Sequence, residues 1–189
     1  MPFIGNQPAK VPLTSADITD GIITSAKIVD GTISNADISS SAAIAQSKIA
    51  GSFGKVLQVV SATTSSSVAT SSQSFVTTGL TANITPSSTS NKILILCQGG
   101  EINTEASGRD CQVTIYKSST NLGNGNAGMG TIYGASSRIH GIPSIGYLDS
   151  PSTTSSTTYA MYFRSGGGSS VTFDANACLA SIILLEIAG

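Results

Sequence analysis

Charge is the scarcest feature of this 189-residue sequence, because Asp, Glu, Lys and Arg together make up only 10% of it. Typical globular domains carry about 25% charged residues. The nine Lys and Arg residues form no cluster, and the net charge is −1. A nucleic-acid-binding protein needs a basic stripe that displaces counterions from phosphates. The composition therefore predicts no nucleic-acid partner.

Long apolar runs are also missing. No stretch approaches the roughly 20 apolar residues that an α-helix needs to cross a bilayer, so we expect no membrane insertion. The first ten residues, MPFIGNQPAK, contain neither a basic n-region nor an apolar h-region. They predict no secretory signal peptide, and hence a protein that is made in a cytoplasm and not exported by that route.

Groups for metal binding and nucleophilic catalysis are few. Cys97, Cys111 and Cys178 are widely spaced, no C-x-x-C pair occurs, and His140 is the single histidine. Structural zinc needs four ligands at close spacing, so we predict no metal, no cofactor and three reduced, mostly buried thiols. A Ser–His–Asp arrangement of His140 with Asp149 is conceivable, but no G-x-S-x-G elbow marks a serine. The sequence therefore predicts that the protein is not an enzyme.

The residues that are present favour β-structure. Hydrophobic residues make up 40% of the chain, while aromatic residues make up 5% and Trp is absent. Most of the apolar residues are Val, Ile, Leu and Ala, and Ser, Thr and Gly take the place of charge. Branched side chains pack well on a pleated surface, and there is enough apolar surface for a core. We predict an all-β protein.

Residues 13–50 contain a repeat. Its apolar positions recur every fifth residue with one slip of a single residue, and they are Leu13, Ile18, Ile23, Ile28, Ile33, Ile38, Ile44 and Ile49. A period of five fits neither an α-helix nor a flat strand, and it favours short β-pieces between corners at Asp20-Gly21 and Asp30-Gly31. The Ala-rich stretch 41–50 is compatible with a short helix. We expect the eight apolar residues to form the core of an extended repeat arm.

Two arrangements of this arm are open. Three chains could wrap around one axis, or a single chain could form a coil of the pentapeptide-repeat kind, with four pentads to each coil. The repeats make at most about two such coils, and solenoids generally need three or more repeats to bury a core. An isolated arm cannot cover its isoleucines, so sister chains or another protein must do so.

Residues 52–189 read as a separate domain of short strands joined by Ser-, Thr-, Gly-, Asn- and Pro-rich runs. The predicted strands are Lys55–Val60, Ser74–Leu80, Lys92–Cys97, Gln112–Lys117, Thr131–Tyr133, Tyr147–Asp149, Tyr159–Arg164, Ser170–Phe173 and Leu179–Ile187. This spacing, without a helical period between strands, predicts a β-sandwich or jelly roll. Lys92–Cys97 and the last strand are continuous apolar runs, which should be buried on both faces, centrally or against a neighbouring subunit.

The repeat text ADITDGIITSAKIVDGTISNADI resembles the DGTI and AKI repeats of tailed-bacteriophage fibre proteins. The later segments SFVTTGLTANITPSSTSNKILIL, YLDSPSTTSSTTYAMYFRS and LEIAG resemble the globular heads of such fibres. These heads are similar to trimeric jelly rolls of the tumour-necrosis-factor and complement-head kind. The resemblance implies a homotrimer, a virion location after assembly in the host cytoplasm, and a structural function.

The resemblance implies a fibre or spike with an N-terminal virion anchor and a C-terminal head that binds a glycan or protein of the host surface. The alternative is a capsid decoration protein, a cement or head-fibre protein that stabilises or decorates the shell. We assign residues 1–12 to a virion-docking peptide, residues 13–50 to the arm and residues 52–189 to the head. The choice between tail and capsid, the host, the receptor and the virion partner all remain open.

Two groups of residues are candidate contact sites. The proline-rich start disfavours regular pairing and suits an extended peptide laid against another virion protein, with anchor residues Pro2, Phe3, Ile4 and Pro8. The Gly- and Asn-rich run 121–130 has no helical pattern after it and reads as a surface loop. With the neighbouring exposed polar and aromatic residues it forms a candidate receptor-contact loop, whose members are Asn121, Asn124, Asn126, Tyr133, Arg138 and His140.

Overall fold

The computed structural model describes residues 12, 14–44, 48, 56–104, 109–134 and 139–189. The chain divides into two compact units, Met1–Gly51 and Ser52–Gly189. Over the described residues the protein is all-β, with 51% of residues in strands and no helix of seven or more residues. The predicted fold class is confirmed at this level.

Residues 14–44 form one short turn in every five residues. Three 3-10 turns lie ten residues apart, at Ser15–Asp17, Ser25–Lys27 and Asn35–Asp37. Between them Gly21 and Gly31 have φ angles of 78° and 80°, a left-handed conformation that glycine adopts readily. The predicted Asp-Gly corners are therefore confirmed.

The prediction of short β-pieces between these corners is wrong, because residues 14–44 contain no strand. Local capping explains the difference. The Asp17 carboxylate accepts the backbone N–H of Thr14 at 2.8 Å and its hydroxyl at 2.7 Å, and Asp37 accepts the same groups of Ser34. The hydroxyl and backbone of Thr14 lower the pKa of Asp17, and the backbone and hydroxyl of Ser34 lower the pKa of Asp37. Donors bound in a capping box are not free for a β-ladder.

The short helix considered for residues 41–50 falls only partly on described residues. Residues 41–44 are not helical, and the Ala42 N–H donates to the Ser39 carbonyl in a single turn. Residues 45–47 and 49–50 lie outside the described residues, as do Leu13 and Ile49 of the predicted repeat core. The extended arm itself stays a prediction.

The second unit consists of short strands. The described residues form thirteen: β1 (Val56–Thr64), β2 (Ser67–Thr70), β3 (Val76–Ile84), β4 (Lys92–Gly99), β5 (Glu101–Thr104), β6 (Arg109–Lys117), β7 (Thr120–Asn121), β8 (Gly130–Gly134), β9 (Ile139–Gly141), β10 (Ser144–Asp149), β11 (Thr157–Ser165), β12 (Val171–Asp174) and β13 (Ala180–Ile187). All nine strands predicted from the sequence overlap one of these. The missed strands are β2, β5, β7 and β9.

The strands pair into three antiparallel sheets. Sheet I has the order β1-β13-β4-β10, and sheet II has the order β3-β11-β6-β7, with β8 also pairing with β6. The small sheet III has the order β2-β12-β5-β9. Each strand of sheet III lies in the chain between a strand of sheet I and a strand of sheet II. Four strand–corner–strand segments therefore build all three sheets in the same spatial order.

The crossing from β4 to β5 depends on glycine. Gly99 and Gly100 have φ angles of 82° and 69°. A Cβ on Gly99 would lie 2.2 Å from the Leu179 carbonyl oxygen, and one on Gly100 would lie 2.4 Å from the Phe173 ring. No side chain fits at either position, so the sharp turn between β4 and β5 requires this Gly-Gly pair.

The core lies between sheets I and II and beneath sheet III. The pleat of β11 turns Tyr159, Met161 and Phe163 inward, and that of β13 turns Ile182 and Leu184 inward. The largest fully buried side chains are Tyr159, Phe163, Phe173, Leu80, Ile84, Ile93, Ile95, Ile102, Ile115, Met161, Ile182 and Leu184. Burial of aliphatic and aromatic side chains contributes about 1.5–3 kcal/mol for each residue, which makes this cluster the main source of stability.

Candidate binding surfaces

The outer face of sheet I is aliphatic. Because alternate residues of a strand point to opposite sides, the register places Ile183 beside Leu96 and Leu185 beside both Leu94 and Val59. Leu148 on β10 continues the Leu94 row. We call the aliphatic face the set Val59, Leu94, Leu96, Leu148, Ile183, Leu185 and Ile187. None of these residues is fully buried, and Val59 is 60% exposed.

The two continuous apolar strands, β4 and β13, are therefore buried on one face within the single chain and not on two. Their outward residues are the central part of the aliphatic face. Soluble monomers rarely expose apolar patches larger than a few hundred square ångströms, and larger patches usually mark a contact with another molecule. The expectation that a neighbouring subunit covers these strands stays a prediction.

The outer face of sheet II carries aromatic rings instead. Tyr162 on β11 and Tyr116 on β6 stack with ring centroids 4.1 Å apart and an interplanar angle of 24°. Phe75 meets Tyr116 edge-on at 6.3 Å, and the Arg164 guanidinium lies 4.9 Å above the Phe75 ring. We call Phe75, Tyr116, Tyr162 and Arg164 the aromatic cluster. All four are half-buried, unlike the core aromatics, which point to the other side of the same sheet.

A hydrogen-bond network fixes the cation of this cluster. Arg164 donates from Nε to Gln112 Oε1 at 2.6 Å and from Nη1 to the Gln73 carbonyl at 2.8 Å. Gln112 in turn donates to Asp110 Oδ2 at 2.8 Å. Among the described residues, Arg164 Nη2 and the phenol hydroxyls of Tyr116 and Tyr162 have no hydrogen-bond partner. The cluster thus presents aromatic rings in fixed positions, together with hydrogen-bond donors that no described residue uses.

The predicted Asn-rich loop lies beside this cluster as an ordered turn. Leu122 donates to the Ile115 carbonyl at 2.9 Å and Met129 to the Val113 carbonyl at 2.7 Å, so the run follows the edge of β6. Its Gly128 has a φ of 67°, and a Cβ there would lie 2.4 Å from the Val113 oxygen and 3.1 Å from Phe75 Cζ. The turn therefore packs against the aromatic cluster.

Two of the predicted asparagines hold this turn together. Asn121 Oδ1 accepts the Thr114 hydroxyl at 2.6 Å and the Gly123 N–H at 2.9 Å. Asn124 Oδ1 accepts the Asn126 N–H at 2.7 Å, while Asn126 itself is exposed. The receptor-contact role of these residues stays a prediction, and the side chains of Asn121 and Asn124 already have structural partners.

The remaining predicted receptor residues fall on different sheets. Tyr133 is 60% exposed on β8 and pairs with Asp110, so it shares the outer face of sheet II. His140 lies on β9 in sheet III, where its Nδ1 contacts Glu101 Oε1. Arg138 lies outside the described residues. Sequence analysis missed Phe75, Tyr116, Tyr162 and Arg164, although alternation within Thr157–Ser165 was enough to place Tyr162 and Arg164 on one face.

The predicted repeat core is exposed in the single chain. Ile18, Ile23, Ile28, Ile33, Ile38 and Ile44 each expose between 39% and 54% of their surface. Every backbone hydrogen bond formed within residues 14–44 closes a local turn. These described residues therefore contain no ladder between successive coils of a single-chain repeat. The predicted anchor residues Pro2, Phe3, Ile4 and Pro8 lie outside the described part of the chain.

The buried polar groups serve the fold. Asp149 accepts the Tyr159 hydroxyl at 2.6 Å and pairs with Lys117 at 3.0 Å. Burial and the bond to Asp149 raise the pKa of Tyr159. Glu186 Oε1 accepts the backbone and hydroxyl of Ser87 at 2.6 and 2.7 Å and the Asn91 amide at 2.6 Å.

The thiols agree with the expectation of reduced cysteines. All three are free; Cys97 and Cys111 are buried, and Cys178 is half-buried. Burial raises the pKa of Cys97 and of Cys111 to about 12. Within the described ranges, no group of three or more His, Cys, Asp or Glu residues is arranged to hold a metal ion. The described helices are all too short to span a membrane.

Comparisons with known proteins add no assignment. The chain matches no protein-family model, and no curated protein matches it significantly.

Proposed function

We propose that this protein is a homotrimeric fibre or spike subunit of a bacteriophage particle, whose N-terminal part attaches to the virion and whose C-terminal domain binds the host surface. The observation that carries the proposal is the amount of aliphatic surface that the single chain leaves uncovered. It occurs twice, on the isoleucines of residues 14–44 and on the aliphatic face of sheet I. Uncovered rows of this kind are what an obligate oligomer buries.

The head is proposed to be a jelly roll. In support, four strand–corner–strand segments give sheets I and II the same segment order, as expected where two Greek keys roll up together. This arrangement leaves β1 and β10 at the edges of sheet I and puts the apolar strands β4 and β13 at its centre. A subunit that docks on sheet I would therefore have the most apolar part of the face at the centre of its contact.

The size of the aliphatic face explains why the repeats are needed. Four strands about 4.8 Å apart and three residue rows about 7 Å apart make a patch on the order of 400 Å². A standard interface buries about 800 Å² on each partner. The face alone is therefore too small for a stable assembly, and the repeat isoleucines supply further apolar surface. This comparison of apolar areas favours three chains wrapped around one axis over a single-chain coil.

The test is the mass of the whole chain in solution and its place in the particle. Light scattering should give about three times the 19.0 kDa of one chain. A monodisperse monomer or dimer with a folded β-signal would refute the trimer. Immunogold labelling of virions that carry the protein should then place it at the tail, as the fibre proposal expects. Label spread over the capsid would instead identify a decoration protein.

Virion attachment has its own test. Removal of residues 1–12 should leave a folded trimer that no longer enters particles, because the anchor residues Pro2, Phe3, Ile4 and Pro8 are gone. Replacement of residues 124–127 by a Gly/Ser turn of equal length is the matched control, and it should enter particles at normal copy number. Normal incorporation of the truncated chain would show that another part of the protein docks to the virion.

A further inference from the structure

We propose that the aromatic cluster on the outer face of sheet II, together with the adjoining Asn-rich turn, is a saccharide-binding site. The inference rests on the proposed host-binding function of the head and names both its site and its ligand class. The cluster consists of Phe75, Tyr116, Tyr162 and Arg164. These side chains lie outside the hydrophobic core, and the hydrogen bonds within the fold leave some of their donors unused.

The rings have the geometry that a sugar needs. Pyranose rings present apolar C–H faces that pack on aromatic surfaces, while their hydroxyls need donors and acceptors at the ring edge. Tyr116 and Tyr162 offer stacked rings on the solvent side of the sheet, each with a phenol hydroxyl that no described residue binds. Phe75 extends the apolar area beside Tyr116.

The cation of the cluster is positioned in advance. Gln112 and the Gln73 carbonyl take two donors of Arg164, so the guanidinium is held in place while Nη2 stays available. A donor held before the ligand arrives loses little freedom on binding, which increases affinity. The Asn-rich turn adjoins the cluster, because Gly128 lies against the Phe75 ring.

The charge of this surface selects among ligand classes. Arg164 is linked through Gln112 to Asp110, so a cation and an anion stand close together on the face. A strongly anionic ligand such as a nucleic acid or an acidic membrane would need a basic surface, which the described residues of this face do not provide. A protein partner would favour the aliphatic face of sheet I. A polysaccharide of low charge fits the outer face of sheet II.

The test uses the full-length trimer and host cells of the phage that carries it. Fluorescently labelled trimer is added to cells pretreated with periodate, which cleaves sugar diols, or with proteinase K, which removes surface proteins. We expect periodate to abolish binding and proteinase K to leave it intact. The reverse pattern would overturn the saccharide inference while the host-binding function stands. Failure of the trimer to bind untreated cells would overturn both the proposed function and this inference.

Variants then locate the site, with immobilised polysaccharide extracted from the host surface as the probe. Tyr162→Ala should weaken binding more than tenfold, because it removes both ring and hydroxyl, and Tyr162→Phe should weaken it about 3- to 10-fold, by one hydrogen bond. Tyr147→Ala, a half-exposed tyrosine on β10 of sheet I, is the matched control and should bind normally. Unchanged affinity in the folded Tyr162→Phe and Tyr162→Ala trimers would place the site elsewhere and refute the assignment.

Discussion

The outer faces of sheets I and II belong to one domain, share one strand order and bury one core, yet they present opposite chemistry to the outside. Sheet I shows Leu94, Leu96 and Leu185, whereas sheet II shows Tyr116, Tyr162 and Arg164. The inward residues of both sheets are similar, so the core does not require this difference. The difference fits the two contacts proposed above: an aliphatic face is suited to permanent burial, and an amphipathic face is suited to a hydrated ligand.

The largest expected effect is loss of the proposed trimer when the aliphatic face of sheet I is changed. Ile183→Asp places a charge at the centre of the aliphatic face, beside Leu96 and Ser61. Because an unpaired charge is costly to bury, we expect the mass in solution to fall from about three chains to one. Light scattering and β-sheet circular dichroism should show a smaller but folded particle.

Asn83→Asp is the matched control for that variant. It adds the same charge to the outer face of sheet II, and the new carboxylate can still accept the Thr158 hydroxyl that Asn83 Oδ1 accepts at 2.6 Å. This variant should stay trimeric. If both variants dissociated, general repulsion and not the aliphatic face would explain the result, and if neither did, the face would not be an interface.

The sequence predicted the class of the fold better than the site. Continuous apolar runs made β4 and β13 visible, whereas β2, β5 and β9 are three or four residues long and their pairing partners come from distant parts of the chain. β5 carries the buried Ile102 in a stretch that composition alone marks as a loop. Tertiary pairing, which local propensity does not contain, decides such short strands.

The candidate site shows the same limit. The Gly and Asn signals located the turn at residues 121–130, because those residue types favour turns for local reasons. The register of β6 with β11 brings residues 116, 162 and 164 of the aromatic cluster together, and residue 75 directly precedes β3, which also pairs with β11. Sequence periodicity gives the face of each residue within its own strand. It does not give the register between strands, on which the Tyr116–Tyr162 stack depends.

A second prediction sharpens the comparison within one strand of sheet II. Phe163 and Tyr162 are adjacent on β11 and point to opposite sides of the sheet. Phe163→Ala should cost about 3–5 kcal/mol of unfolding free energy, because it leaves a cavity in the core. Tyr162→Ala should cost only about 0.5–1.5 kcal/mol, the order of the lost stacking with Tyr116. Denaturant midpoints at equal protein concentration measure the difference, and equal losses would contradict the assignment of the two sides.

The smallest expected effect concerns the inward charge on β13, the strand whose outward residues lie at the centre of the aliphatic face. Glu186 is fully buried. Burial raises its pKa, but the hydrogen bonds from Asn91 and Ser87 outweigh burial and hold the pKa below its ordinary value of 4.5. A carboxyl whose folded pKa is depressed stabilises the protein above its unfolded pKa, and this stabilisation is lost as the pH falls through the folded pKa.

The wild type should therefore lose stability below about pH 4.5 more steeply than Glu186→Gln, which has no charge to titrate. At pH 7 the Gln variant should be less stable by about 1–3 kcal/mol, since three charge-assisted acceptor contacts become weaker and its amide group has no partner at the buried Oε2 position. Other acidic groups titrate equally in both proteins and cancel in the difference between them. A stability difference that stayed constant from pH 7 to pH 3 would show that the Glu186 carboxylate does not contribute through its charge, and that the Ser87–Asn91 loop is held by its other contacts.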